Sequence, residues 1–578
     1  MIKRIGVVTL MLAGSVILAG CGTTTSVAKS HSGGTVVIAE APDSPPNWFP
    51  PILSSTAYTA INEQIQYLLY RPLIYLNAQN QVDYAKSLVK RIVVTNNGTT
   101  YTLTMSHKYR WSNGRPVTAQ DVVFFWNIIK DASTLKNSPW VYGAAGSGGV
   151  PNDWKSVTAK GPNTVVIVLK NPSNPQWFIR NGLSQISPIP ESIWNKDPHN
   201  PIRELRFIAS VANSPTNPVY RVVDGPFRFK SWQPNNYWEL VPNQAFGGHK
   251  ASIRKLIFQY ETSSASEFVG LRNGTVSVGY LPPSMWGARN KLPDDVRTAS
   301  YLFGMNFMIP NLSPKAPGGI GPVFSQLYVR QALEMGIDQP GIIKTLYHGA
   351  GVVSDGPIPP KPKTSFFDPA LLHAPYPFDP AAGKALLEAH GWHEVNGVMT
   401  KHGQKLAFTV TYMAGSTTAT RVMELIKSDW AQEGISATLQ TMPINEILAT
   451  AVQSDPTKWQ MAYWGGAGWT YQVDYYPTGG ELFATNAAEN DSGYSSPVLD
   501  HLIQSTYESG TPSQIKARMD AYQVFMAKNL PVLWMPWLPQ GYARMIGFNE
   551  HNKDVRGTVS TFNPVTNFPY ANYWTVTS

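Results

Sequence analysis

Asp474 is the only charged residue between Met461 and Pro477, a stretch that also holds six aromatic rings and three glycines. A carboxylate in such company loses part of its hydration, and its free energy rises unless a cation or several donors meet it. Glycine lets the backbone approach another group closely, and rings beside it build a wall. The plainer alternative is a surface loop whose rings fold back into the core. Catalysis would need more than this. A glycosidase needs two carboxylates flanking one bond, and the nearest second carboxylate in the sequence is Glu481. The sequence has no Walker loop, no Gly-x-Gly-x-x-Gly, no His-Glu-x-x-His and no Gly-x-Ser-x-Gly. His390 and His393 fall at a helix stop and read as solvated rather than as a metal pair. Glu424, Asp429 and Glu433 have the spacing of a solvated helix face, while Asp121, Asp338 and Asp379 read as helix caps. No enzyme activity, cofactor or metal is expected, and a secreted glycosidase stays the rival class.

The compartment is read from the first residues. Lys3 and Arg4 precede an apolar run from Ile5 to Leu18, too short for a comfortable membrane span and therefore a signal peptide, residues 1–20. It ends in Leu18-Ala19-Gly20-Cys21, which resembles the lipobox of bacterial lipoproteins. That resemblance implies lipidation of Cys21 and a firm membrane anchor, since more than one acyl chain is needed for stable binding. Cys21 is the only cysteine, so no disulfide can form within the chain. Residues 21–34 are small and polar, a flexible tether. The formal charge is +9, and losing Lys3 and Arg4 with the leader leaves +7. With no basic run interleaved with aromatics, nucleic acid is not an expected partner. Only 14% of residues are charged, which fits adaptation to an acidic exterior, where fewer carboxylates means less destabilisation by protonation.

About 540 residues remain beyond the tether, too many for one core, so two or three domains are expected. Thr35 to Glu40 reads as a first strand, the proline-rich Ser44–Pro51 carries Trp48 and Phe49 in a loop, and Ile61 to Tyr70 has helical spacing. Ile92-Val-Val, Asn96-Asn97-Gly98 and Tyr101–Met105 make a hairpin. Thr118 and Asp121 have capping-box spacing ahead of Val122, Phe125, Trp126 and Ile129 on one helix face. Asp379, Pro380 and Gly391 cap, start and stop another helix. Leu406 to Tyr412 alternates, Met423, Ile426 and Trp430 form a helical stripe, and Ile435 to Leu439 alternates again. That order predicts a parallel strand–helix–strand crossover.

Tyr101–Met105 followed by Tyr109-Arg-Trp-Ser-Asn-Gly-Arg-Pro-Val-Thr-Ala-Gln-Asp-Val-Val-Phe124 resembles the signature of extracellular solute-binding proteins of family 5, the oligopeptide- and dipeptide-binding proteins of ABC importers. Val223-Asp-Gly-Pro-Phe-Arg-Phe-Lys230, Arg254–Tyr260, Val329–Asp338 and Phe378–Gly391 resemble further family segments in order. The resemblance implies an α/β, periplasmic-binding-protein-like fold of class II, cluster C type: two α/β lobes joined by a hinge, plus a small extra α+β domain. The expected divisions are lobe I at 35–60, 185–305 and 536–578, the extra domain at 61–184, and lobe II at 306–535. The hinge passes are expected near Met305-Asn306-Phe307 and Leu533-Trp534-Met535-Pro536.

Family members carry a Gly-Trp-x-x-Asp-Tyr motif whose Asp meets the ligand's amino terminus. Gly468-Trp469-Thr-Tyr-Gln-Val-Asp474-Tyr475 has two extra residues within it. The implied ligand is a peptide, with Asp474 as the amine partner and Trp469, Trp464, Tyr471, Tyr475, Tyr476, Trp48 and Phe49 around it. Some relatives bind oligosaccharides, and the same rings would serve as stacking platforms for sugars, so that alternative stays open. The further partners implied are an ABC permease and the membrane that holds Cys21, with the chain acting as a monomer. Capture would proceed by closure of the lobes over the ligand.

Overall fold

The computed structural model describes residues 34–39, 45–57, 59–279, 281, 283–292, 295–298, 301–414, 416–443, 446–447, 455–464, 468–472, 474–487, 489–539, 546–549 and 555–576. The leader, Cys21 and residues 22–33 of the tether lie outside these. No helix among the described residues is long and apolar enough to cross a membrane.

Three main sheets organise the chain. In the first, Thr35–Ala39 runs parallel to Lys255–Gln259, and Tyr237–Pro242 and Phe227–Gln233 follow antiparallel. The helix Ala60–Leu69, capped by Thr59, packs on the strand Phe227–Gln233. The approach is close because of the motif glycine before that strand. Gly225 donates its N–H to Leu69 O at 2.8 Å, and a Cβ there would lie 2.4 Å from Leu68 O. Any side chain at 225 would push the helix off the sheet.

The second sheet holds the hairpin Val89–Thr95 and Thr100–Met105, continued by Thr164–Leu169 and Trp154–Ala159. Its turn places Asn96, Asn97 and Gly98 at positive φ, conformations that Asn and Gly tolerate best. The helix Ala119–Thr134 covers this sheet and stacks Trp126 on Trp154 at 4.6 Å. Asp121 caps it as expected, accepting Thr118 N–H at 2.9 Å. It also accepts Trp111 Nε1–H at 3.2 Å and Glu191 N–H at 2.9 Å, tying three segments together.

The third sheet has five strands in the order Ser436–Met442, Ala407–Met413, Met461–Tyr463, Phe307–Pro310, Leu533–Trp534. Its first two strands are parallel and joined by the helix Thr417–Gln432, which is the expected crossover. Asp338 and Asp379 are N-caps, accepting Gly341 N–H at 2.8 Å and Ala382 N–H at 2.9 Å. Glu424 is exposed, but Asp429 and Glu433 do not face solvent: they are 7% and 0% exposed. The crossover helix is covered by the helices Gln339–Leu346 and Pro380–Ala389, and Gly336 and Gly383 leave the niche that the Glu433 carboxyl fills. A periodicity argument sees the carboxylate's charge but not the second layer above it.

The two chain passes between the sheets lie side by side. Phe307 pairs with Trp534, Met535 N–H donates to Asn306 O at 3.0 Å, and the buried Asn306 amide donates to Pro536 O at 3.1 Å.

Candidate functional site

Trp469–Thr470 forms a short strand against Gly304–Met305. Gly304 permits it, since a Cβ there would sit 2.2 Å from Trp469 O. Tyr471 then donates its N–H to Phe303 O at 2.8 Å and its hydroxyl to Pro357 O at 2.6 Å, with its ring edge-on to Trp469. The next described residues leave this strand and cross to the other side of a seam. Their partners are Asn80, Ser147, Asn174 and Asn181, all from the first two hundred residues.

The crossing is held by amides. Asn181 meets the Tyr476 backbone twice, accepting its N–H at 2.7 Å and donating to its carbonyl at 2.9 Å, as a strand neighbour would. Asn174 donates to the Tyr476 hydroxyl at 3.1 Å, and Asn80 donates to Tyr475 O at 2.6 Å. The Tyr475 hydroxyl lies 3.3 Å from that of Tyr67 on the helix Ala60–Leu69. Tyr471, Tyr475 and Tyr476 are all buried.

Asp474 sits inside this frame, 2% exposed. Ser147 Oγ–H donates to it, and Glu481 is its second side-chain partner. Burial raises the Asp474 carboxyl above its ordinary range, against the pull of those two hydrogen bonds. Glu481 goes higher, raised by burial and then by the neighbouring Asp474 charge. The pair therefore shares a proton between its carboxyls. Glu489 is pushed up to about 7 by burial and by Asp474. Among the described residues no cation acts on Asp474 or Glu481. Asp474 is thus one of several carboxyls at the seam rather than a lone charge.

The other expected residues divide. Trp464 is half-buried against Phe307, with ring centroids 5.3 Å apart. Trp48 packs edge-on to Trp140 and spends its Nε1–H on Ile52 O at 2.9 Å. Phe49 does not face the seam. It is fully buried between Tyr220 and Phe229 beside the first sheet, where the proline-rich loop turns it inward. The Trp48 carbonyl nevertheless reaches the site, because it accepts Gln66 Nε2–H at 2.9 Å.

Sequence reasoning missed Glu63, Tyr67, Tyr142 and Gln185. With Gln66 they line a cavity beside the seam. A second cavity shares Tyr67 and is walled by Ile74, Tyr75, Tyr475 and Phe568. Asn62, Glu63, Gln64 and Gln66 read as the wet face of an amphipathic helix, but all four are buried. The sequence offered no local signal, because the stripe of Ile61, Ile65 and Leu68 leaves these positions on the face that reads as solvated.

A sequence model described as "Bacterial extracellular solute-binding proteins, family 5 Middle" matches residues 83–482. A protein of Brucella ovis named for ABC-transporter peptide binding is 25% identical over 366 residues, and the match spans about 60% of its length and 61% of this chain. The dipeptide-binding protein of Escherichia coli is 24% identical over 549 residues, covering 92% of this chain and 94% of that one. Among solved structures, the oligopeptide-binding protein AppA of Bacillus subtilis, in complex with a nonapeptide, superposes with a TM-score of 0.76 at 18% identity. That match covers 95% of this chain and all of AppA, and it carries the two-lobed α/β fold.

Proposed function

The chain belongs to the bacterial extracellular solute-binding proteins of family 5, and from that premise we propose that it captures peptides for an ABC importer. The observation that carries the reading is the Asp474–Glu481 carboxyl pair at the seam, with Asp474 itself buried and no cation among the described residues acting on either group. A buried carboxyl pair of this kind is relieved when an ammonium arrives. The names of the relatives from Brucella and E. coli support peptide over sugar. The polypeptide would be held by its shared groups, the ends and the backbone, and handed to a membrane permease without chemical change.

Closure is supported by the paired passes at Asn306 and Met535, which would act as the hinge. The seam contacts of Asn181 and Asn174 with Tyr476 would latch the closed form. Small-angle scattering tests the reading directly. A saturating mixture of tripeptides is expected to sharpen and shrink the distribution of radii of gyration towards one compact state. An unchanged profile together with no heat of binding would rule the peptide reading out.

Location is part of the same proposal. Leu18-Ala19-Gly20-Cys21 after a short apolar run supports an extracytoplasmic lipoprotein anchored through Cys21. Cys21→Ser is expected to move the protein from the membrane pellet to the soluble fraction. Sedimentation with membranes after a high-salt wash would exclude the anchor.

A further inference from the structure

Glu63 lies in the first turn of the helix Ala60–Leu69 and is 4% exposed. Its Oε2 has no hydrogen-bond partner among the described residues, and Glu63 lines the cavity that Gln66, Tyr67, Tyr142 and Gln185 help to wall. An acid in a first turn complements the helix dipole, but that gain needs no burial and is available in water. What the dipole leaves unexplained is a carboxylate oxygen turned away from solvent with no partner among the described residues. The groups acting on this carboxyl are burial, which raises its pKa, and the Gln472 side chain, which opposes that.

The neighbours are arranged for a guest. The Tyr142 hydroxyl donates to Gln185 Oε1 at 2.6 Å, and Gln185 Nε2 donates to Ser147 O at 3.1 Å, so both side chains are fixed in place. Gln66 is fixed by the Trp48 carbonyl. Ser147 also donates to Asp474, so the cavity wall and the Asp474 carboxyl are joined through one residue. On the far side of Tyr67 the second cavity offers aliphatic and aromatic walls from Ile74, Tyr75 and Phe568.

We propose that Glu63 anchors a second cationic group of the ligand, the ammonium or guanidinium of a basic side chain, whose aliphatic stem lies along Tyr67. The site thus favours peptides with a Lys or Arg near the amino terminus. The proposal rests on the peptide reading above, and it assigns Glu63 a role separate from that of Asp474. A charge-assisted hydrogen bond in a buried site gives discrimination of about 10- to 150-fold against an apolar isostere.

The test compares Ala-Lys-Ala with Ala-norleucine-Ala by calorimetry, in wild type and Glu63→Gln. Wild type is expected to prefer the lysine peptide by at least about tenfold, and the preference is expected to shrink to within about twofold in the variant. No preference in wild type, or one that persists in Glu63→Gln, overturns the proposal. If neither peptide binds wild type, the peptide reading fails and a separate arm decides on Glu63. Butylguanidinium, against sodium chloride at equal ionic strength, should then raise the Tm of wild type and not of Glu63→Gln; equal shifts, or none in wild type, overturn the assignment. Should Glu63→Gln not fold, Glu63→Asp draws the charge back by one methylene and must reduce the preference. An unchanged ratio there also overturns it.

Discussion

Asp474→Asn is expected to weaken the binding of a free-amine peptide by about 3–5 kcal/mol, roughly 100- to 4000-fold, while leaving the shape of the site intact. Asp474 is buried with Ser147 and Glu481 as its partners, and the carboxyl pair shares a proton. An arriving ammonium replaces that proton and completes an ion pair in a place water does not reach. Asn preserves volume and hydrogen bonding but carries no charge, so the substitution isolates the electrostatic part. The companion ligand is the same peptide N-acetylated, which should bind wild type weakly and the variant no worse than its parent peptide. Because burial raises the Asp474 carboxyl, the ammonium competes with a proton there, and wild-type affinity should fall as the pH is lowered. Calorimetric titration of both proteins with tri-alanine, N-acetyl-tri-alanine and an oligosaccharide checks this. Indifference of wild type to acetylation would remove Asp474 as the amine partner. Binding of the oligosaccharide alone would return the site to its rings.

What was legible beforehand was whatever local chemistry dictates. The hairpin followed from Asn96-Asn97-Gly98, whose residues tolerate the positive φ that the turn demands. The caps at Asp121, Asp338 and Asp379 followed from spacing, because an N-cap needs only its own first turn. The crossover from Ala407 to Met442 followed from two alternating runs and one helical stripe. Asp474 stood out because one charge among six rings is anomalous on its own. Of its partners, Glu481 was in view as the nearest second carboxylate, whereas Ser147 was not, since it is more than three hundred residues away and polar residues carry no mark of what they face.

Glu63 and Glu433 were hidden for a shared reason. Glu63 lies on, and Glu433 caps, a helix with an apolar stripe, where the remaining positions read as solvated. That inference holds when one face meets the core, and it fails when a second layer covers the other. The second layer over Glu433 is built from glycines: a Cβ at Gly383 would lie 2.2 Å from Glu433 Oε2, and one at Gly336 would lie 2.3 Å from Oε1. Two glycines on separate segments cannot be paired with one carboxylate until the fold places them.

Glu433 yields the largest effect expected on stability. It is fully buried, and neither carboxyl oxygen has a hydrogen-bond partner among the described residues. Burial pushes its pKa from 4.5 up to about 9, with Asp429 and then Asp379 adding to the rise. Asp429, itself raised to about 6 by burial and by Asp338, makes the surroundings acidic throughout. The sign follows from linkage. The native state keeps this proton until about pH 9, whereas the unfolded chain gives it up near 4.5, so ionisation rewards unfolding across the interval between. The stabilising contribution is complete below about pH 4.5, falls by about 1.4 kcal/mol per pH unit above it, and is exhausted near pH 9. Over the full window that amounts to about 6 kcal/mol. Glu433→Gln cannot ionise, so whatever fixed cost its amide brings, its stability should lack this slope. Urea unfolding of both proteins from pH 5 to 9 should show wild type losing ground to the variant at each step. The same slope, repeated at Asp355 with a pKa of about 6 and Asp224 at about 7, would place the stability maximum of this protein in acid, as its low charge content suggests. Parallel pH curves for wild type and Glu433→Gln would show that Glu433 is ionised in the native protein, and the buried neutral carboxyl would have to be given up.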